Sequence, residues 1–275
     1  MSFLRAIFRG SAVEAMKSAL YDTDLTDAQW AYLQPMLPKP SKRGRPPKDR
    51  RRILNAVLYL VKCGCPWRYL PADFPCWKTV YHVFRQWAAS QEWAVIHDTL
   101  RVLVRRSHNK RSRPTAAILD SQSVKSAGHG GTVGYDAAKR IKGRKRHLLV
   151  DTLGLILGVA VTPANVTERD GAQMLLARVL GWFAWLRILW VDGGYTGETF
   201  AQWVKGLRPK LAVEVVKRST DTKGFSVLPC RWIVERTFGW LMQHRRLVRD
   251  YETTEASAEA WIYLAMIRIQ LRRLA

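Results

Sequence analysis

Hydrophobic and polar positions follow two different periods along the chain, and the change comes near residue 114. Before this point apolar residues recur every three to four positions, which predicts amphipathic helices. The periodic segments are 24–37, 50–62, 77–88 and 93–106. Thr26 is a suitable N-cap for the first helix. Two of the helices flank the turn-rich stretch "CGCPWRYLPADFP", so we expect residues 21–110 to form a small helical module of helix-turn-helix type.

After residue 114 the pattern indicates strands alternating with helices. The predicted strands are "TAAILDSQ", "RHLLVD", "LILGVAVTP", "LRILWV" and "LAVEVV", with a hairpin turn at "DTLG". The predicted helices are "ERDGAQMLLARVLGWF", "ETFAQWVKGL", "RWIVERTFGWLMQHRRL" and residues 257–273. This order predicts an α/β fold over residues 111–275, with a mixed sheet and flanking helices.

Charge narrows the choice of partners. The chain has 275 residues with 45 Lys and Arg against 22 Asp and Glu, a formal net charge of +23. Such an excess favours a polyanionic partner, and nucleic acid fits better than a ribosome or a membrane surface because 48% of the residues are hydrophobic. Arg5 and Arg9 interrupt the first apolar stretch, so we expect no signal peptide. No stretch reaches the ~18 apolar residues of a membrane span, and we expect a cytoplasmic location.

Three acids stand against apolar sequence in this basic chain. Asp120 follows "AAIL", Asp192 follows "RILWV", and Glu235 lies inside "WIVERTFGW". A buried carboxylate needs a partner, and two strand ends and one helix can bring three carboxylates to a single cation. Carboxylates without His or Cys favour Mg²⁺, and two such ions can promote phosphodiester cleavage. Residues 121–125 are then expected to turn the strand toward DNA.

Each acid also has a purely structural interpretation. Asp120 and Asp192 could cap turns, and Glu235 could pair with Arg231 one helical turn earlier. Asp151 in "VDTLG" looks similar to Asp120, yet it lies in a hairpin turn and is assigned to structure. Taken singly, the acids therefore do not decide the function; their combination in a strongly basic chain favours DNA cleavage.

Longer motifs relate the chain to a known family. They are "LTDAQWAYLQPMLP", "CPWRYLP", "WKTVYHVFRQW", "LDSQSVKS", "GYDAAKRIKGRKRHLLVDTLGL", "VDGGYTG" and "RWIVERTFGWLMQHRRLVRDYE". With these motifs the chain resembles the DDE transposases of bacterial insertion sequences, of the insertion-sequence-five type, over nearly all residues after about 20. The resemblance implies an RNase H-like fold in which Asp120, Asp192 and Glu235 are the catalytic and metal-ligating acids, with two Mg²⁺ ions for which Mn²⁺ can substitute.

The chain departs from the family around the third acid. The wider family often has Tyr, Arg, Glu and Lys at fixed spacing there, and Arg231 fits this pattern. Leu228 stands in place of the Tyr and Met242 in place of the Lys. Arg245 or Arg246, one turn later, is expected to supply the missing cation, which leaves the phosphate contacts less defined than the acids.

Basic clusters suggest where DNA is bound. "KRIKGRKRH" is expected between the first two strands near Asp120, and "HRRLVR" is expected to continue the helix of Glu235. "GRPPK" suits an arm in the minor groove, although a plain linker fits equally well, and one face of the 77–88 helix could contact DNA or be solvated surface. The predicted DNA contacts are Arg43, Arg45, Lys48, Lys78, Arg85, Lys142, Arg144, Lys145, Arg146, Arg231, Arg245 and Arg246.

These features together predict a nucleoid-associated DNA transposase. Residues 1–20 are expected to be a disordered N-terminal extension, and Met16 is an alternative start. Residues 21–110 are expected to recognise the terminal inverted repeats of the element, and residues 111–275 to cut these ends and join them to target DNA. The chemistry at two ends implies a homodimer or higher oligomer. The alternatives are a nuclease or resolvase without strand transfer, and an inactive DNA-binding derivative.

Overall fold

The computed structural model describes residues 20–39, 49–128, 131–216 and 231–275, and it confirms the predicted order of elements. The helices before the sheet are α1 (Asp27–Leu33), α2 (Arg50–Cys63), α3 (Trp77–Ala89) and α4 (Glu92–Ser107). The strands are β1 (Ala116–Lys125), β2 (Gly134–Asp136), β3 (Ile141–Asp151), β4 (Ile156–Pro163), β5 (Ile188–Val191) and β6 (Ala212–Val215). The later α-helices are α5 (Glu168–Val179), α6 (Glu198–Leu207), α7 (Arg231–Met242), α8 (Arg245–Val248) and α9 (Glu255–Leu274).

Local sequence sets the ends of the first two helices. The Thr26 side chain accepts the Gln29 N–H at 3.2 Å, and the Gln29 side chain accepts the Thr26 N–H, which completes a capping box and confirms the predicted N-cap. Asp49 caps α2 by accepting two backbone N–H groups. Gly64 ends α2 in the left-handed region, at φ 70°, where glycine carries no Cβ penalty.

The sheet is mixed, as predicted, with β1 near its centre. β1 pairs antiparallel with β3, β3 pairs antiparallel with β4, and β1, β5 and β6 run parallel. The parallel register joins Ala116 to Ile188 and Ile118 to Trp190. Two residues further along these strands come Asp120 and Asp192, so the register itself brings the two acids to the same level of the sheet.

Strand β1 is longer than predicted. Residues 121–125 do not turn away after Asp120; they continue the antiparallel ladder to the pair Lys125–Gly143. The basic stretch "KRIKGRKRH" is likewise not a loop, because Ile141 already begins β3. The "DTLG" hairpin is confirmed, with the Asp151 N–H donating to the carbonyl of Leu155 at 2.9 Å.

The sheet separates two hydrophobic cores. Ile118 packs into a core shared with α1–α4, α7 and α9, whereas Leu119 packs into the core formed with α5 and α6. Successive strand residues point to opposite faces. Asp120 therefore lies on the face of α7, and Ser121 lies on the face of α5. The helices of residues 20–110 share a core with the sheet, so the packing does not divide the chain near residue 110. The domain boundary there stays a prediction.

The segment after Glu235 differs from the single long helix that we expected. α7 ends at Met242, and α8 begins at Arg245 after His244, whose backbone is extended. The break buries Arg246, which forms an ion pair with Glu252 at 2.6 Å. Within the ranges that the structure describes, no helix is long and apolar enough to cross a membrane.

Candidate active site beside two parallel strands

Asp120 lies in the middle of β1, where its carboxylate accepts the Ser121 N–H at 2.7 Å. Burial raises the pKa of Asp120 from its ordinary 3.8 to about 7. The carboxylates of Asp192 and Glu168 add to this rise, while the Ser121 N–H and the Lys139 ammonium oppose it. Burial is thus the main cost of ionising Asp120, the neighbouring acids add to it, and a bound cation would offset both.

Asp192 directly follows β5 and starts the short 3₁₀ turn Gly193–Tyr195. Its carboxylate accepts the Gly194 N–H at 2.9 Å, so the predicted turn role is real. Asp120 and Asp192 nevertheless line one small depression beside the point where the parallel pairing of β1 and β5 ends. A turn role and a place beside Asp120 are therefore compatible, and the structure brings these two predicted acids together.

Glu235, the third predicted acid, lies on α7 with its side chain exposed. α7 packs against β1, and Thr237 anchors it by donating to the carbonyl of Gly154 at 2.9 Å. Among the residues described, however, no three His, Cys, Asp or Glu side chains are arranged to hold a metal ion. The structure therefore places Glu235 on a helix beside the strand of Asp120 without gathering all three acids into one ligand set.

Glu168 is an acid of the site that sequence reasoning missed. It begins α5, and its Oε1 accepts hydrogen bonds from Ser121 Oγ at 3.0 Å and from Lys139 Nζ at 2.9 Å. In sequence, Glu168 follows the helix cap Thr167 and looks like an acid that simply favours a helix start. Only the packing of α5 beneath β1 reveals its position, and no local motif carries that information.

The residue after it, Arg169, supports the other acidic segment. Its Nε donates to the carbonyl of Gly194 at 3.1 Å, and its Nη2 donates to the carbonyl of Thr196. The first turn of α5 thus contacts both segments that carry the predicted aspartates. Glu168 holds the residue after Asp120, and Arg169 holds the turn after Asp192.

The helix α3 presents the predicted basic face. Lys78 and Arg85 are exposed, while Val80, Phe84 and Trp87 on the opposite side are buried. This amphipathic arrangement agrees with the expected helix. It leaves both basic side chains available at the surface.

The basic residues of β3 do not share one environment. Arg144, Lys145 and Arg146 are buried; Arg144 Nη1 lies 3.5 Å from Asp250, and Lys145 Nζ lies 3.4 Å from Asp136. Arg146 donates to a backbone carbonyl of α8 at 2.7 Å. The prediction of DNA contact is corrected for these three, because their charged ends are directed to interior partners. The remaining predicted contact on β3 is exposed; it is Lys142.

The basic residues that follow Glu235 also differ in exposure. Arg245 is exposed, but Arg246 is buried, paired with Glu252, and placed over the rings of Trp67 and Trp261. Arg246 therefore acts as a core residue, contrary to its predicted contact with phosphate. The predicted contacts whose side chains lie outside the described part are Arg43, Arg45, Lys48 and Arg231.

Comparisons with known proteins bear on both halves of the chain. Residues 111–269 match the family described as "Transposase DDE domain", and residues 25–113 match "Putative transposase of IS4/5 family". An uncharacterized 16.2 kDa protein of insertion element IS402 from Burkholderia cepacia is 31% identical over 40% of this chain and 78% of its own length.

Two further relatives cover similar shares of the chain. A putative transposase for IS402 from Burkholderia cepacia is 33% identical over 40% of this chain, which spans 54% of that relative's length. The uncharacterized protein y4sN of Sinorhizobium fredii is 28% identical over 43% of this chain and 86% of its own.

Proposed function

The chain belongs to the transposases with a DDE domain, and we propose that it cuts and joins DNA at insertion-sequence ends through a site built on Asp120 and Asp192. The observation that supports this site most strongly is the parallel register of β1 and β5, which sets the two acids side by side. An RNase H-like fold is what the family implies for this mixed sheet.

Divalent metals are general cofactors of the family, and the donor set here fits a hard cation. Asp120 and Asp192 offer oxygen ligands in a partly buried, acid-rich setting, which suits Mg²⁺ with Mn²⁺ as a substitute. We propose two ions, with Glu235 completing the ligands from α7. When bound, the ions would activate the attacking oxygen and stabilise the leaving oxygen.

The chain's own groups hold this site in place. The backbone N–H groups of Ser121 and Gly194 fix one oxygen of Asp120 and Asp192, respectively. Arg169 fastens the turn that carries Asp192. Fixed carboxylates lower the reorganisation needed when a cation and a phosphate arrive together.

The DNA surface is proposed from the exposed bases. The net charge of +23 supplies non-specific affinity for phosphates, and the α3 face of Lys78 and Arg85 suits recognition of the terminal repeats by a helix-turn-helix-like module. Lys142 and Arg245 add exposed charge in the second half of the chain. Further proposed contacts are Arg43, Arg45, Lys48 and Arg231.

A strand-transfer assay tests this function. Duplexes that carry the inverted repeats flanking the gene, with pre-cut 3′ ends, are incubated with target DNA and Mg²⁺. The proposal expects joined products from the wild-type chain, formed by a homodimer or larger assembly that pairs two ends. Cleavage of uncut ends without any joining of pre-cut ends would instead identify a nuclease or resolvase.

A further inference from the structure

The two aspartates do not stand alone, because a third carboxylate reaches the same region from the opposite face. Glu168 Oε1 accepts the hydroxyl of Ser121, the residue that follows Asp120, at 3.0 Å. Glu168 therefore holds the side chain of the residue next to Asp120 on β1.

The second oxygen of Glu168 faces the other acidic segment. A Cβ atom built on Gly194 would lie 2.7 Å from Glu168 Oε2 and 3.1 Å from Asp192 Oδ1. Both carboxylate oxygens thus approach one small volume above Gly194, which any side chain at this position would fill. Glycine keeps that space open and lets the two acids approach each other.

Lys139 supplies the positive charge beside these acids. Its ammonium lies 2.9 Å from Glu168 Oε1, and its backbone N–H is held by the Asp136 carboxylate at 3.1 Å. Its side chain is 40% exposed, so the ammonium can reach solvent when the ion pair opens. Since like charges that converge are costly, a cation beside ionised Asp120, Asp192 and Glu168 stabilises the site.

We propose that Glu168 is a positioning residue of the cation site. It holds the strand of Asp120 through Ser121 and faces Asp192 across Gly194. When a divalent cation binds, the cation replaces Lys139 as the positive charge beside Glu168. This inference rests on the proposed function of Asp120 and Asp192. It adds to them an acid outside the Asp, Asp, Glu set that the family resemblance implies.

The role of Glu168 is tested by measuring the affinity of the full-length chain for Mn²⁺, without DNA, by isothermal titration calorimetry. Glu168→Gln keeps an acceptor oxygen for Ser121 but removes the charge, so affinity should fall by roughly 10-fold, within the 10–100-fold typical of residues that support metal ligands. The matched control is Glu198→Gln, which removes an exposed acid from the first turn of α6 and should change affinity less than about twofold.

Lys139→Met probes the same site with the opposite sign. It removes the competing ammonium and should strengthen Mn²⁺ binding, whereas Arg140→Met removes an equal charge from the next, exposed residue and should have a smaller effect. This pair keeps the proposal testable if Glu168→Gln fails to fold, which thermal unfolding will reveal.

The outcomes separate this inference from the function beneath it. If wild-type binding depends on Asp120 but Glu168→Gln binds Mn²⁺ like Glu198→Gln, the role of Glu168 is overturned and the site of the two aspartates stands. Equal affinities of Lys139→Met and Arg140→Met would also count against the ion-pair exchange. If Asp120→Asn leaves Mn²⁺ binding unchanged, the proposed site itself fails and the inference fails with it.

Discussion

Asp120 on β1 is half-buried and Asp151 on the neighbouring strand β3 is fully buried, yet the surroundings of the two acids are opposite. Asp151 is fully buried, pairs with Arg105 at 2.5 Å, and accepts the N–H groups of Leu153 and Leu155. Asp120 lies near two other carboxylates, and burial together with these acids raises its pKa to about 7. One acid is satisfied by the fold, and the other is left with a demand for positive charge.

The difference shows how to separate a structural acid from a functional one. A buried carboxylate with a fixed Arg partner and backbone donors contributes to stability and has no need of a ligand. A carboxylate set among like charges destabilises the fold, and such an arrangement is typical of sites that bind a cation. The comparison predicts opposite responses to the same chemical change, Asp to Asn, at Asp120 and Asp151.

The largest effect is expected on DNA cleavage. Asp120→Asn or Asp192→Asn should reduce cleavage of end-bearing duplexes by more than the roughly 100-fold upper range for residues that only support metal ligands. DNA binding should persist, because the proposed phosphate contacts lie on other residues. Gel assays of cleavage and of binding on the same duplex measure both, and a variant that still cuts would contradict the assignment.

Asp151→Asn should act on stability. Arg105 would be left buried without its charged partner, which typically costs about 3–5 kcal/mol. Denaturant unfolding measures the loss. The control is Asp27→Asn, whose ion pair with Arg51 joins a 75% exposed carboxylate to a 28% exposed arginine and should contribute less than about 1 kcal/mol. A neutral result at Asp151 would remove one side of the comparison.

Asp120 should make the folded chain less stable as pH rises, which is the opposite of what an aspartate with a lowered pKa does. Between about pH 4 and 7 the folded chain keeps a proton that the unfolded chain has released, so this acid lowers stability as pH rises through that window. In chelator at pH 8, Asp120→Asn should therefore be more stable than wild type, by at most about 4 kcal/mol. The gain should vanish near pH 4, and destabilisation at pH 8 would contradict the account.

The smallest effect is expected at the basic residues, where an exposed side chain should contact DNA and a buried one should stabilise the fold. Arg85→Ala on the exposed face of α3 should weaken DNA binding modestly and reduce the salt slope by about 1, with stability unchanged within about 0.5 kcal/mol. Arg246→Ala leaves buried Glu252 without its ion-pair partner and should instead lower stability. Binding titrations at several salt concentrations and unfolding curves distinguish them, and a reversed pattern would reject the division.

Sequence patterns predicted the elements and the pairing of Asp120 with Asp192, because strand ends and hydrophobic periods are local signals. They did not reveal Glu168, whose position depends on how α5 packs beneath β1. They also placed Arg144 and Arg246 at the DNA, since a run of basic residues looks solvated until the buried partners Asp250 and Glu252 are known. Long-range ion pairs carry no periodicity, and this is why these roles required the structure.

Iron-directed backbone cleavage tests the central claim most directly. Fe²⁺ is bound in place of Mg²⁺, ascorbate and peroxide are added, and the cut positions are mapped by mass spectrometry. The account predicts cuts close to Asp120 and Asp192, which Asp120→Asn should abolish and Asp98→Asn should leave intact. Cuts elsewhere in the chain, or cuts near both aspartates that persist in Asp120→Asn, would contradict a cation site formed by Asp120 and Asp192.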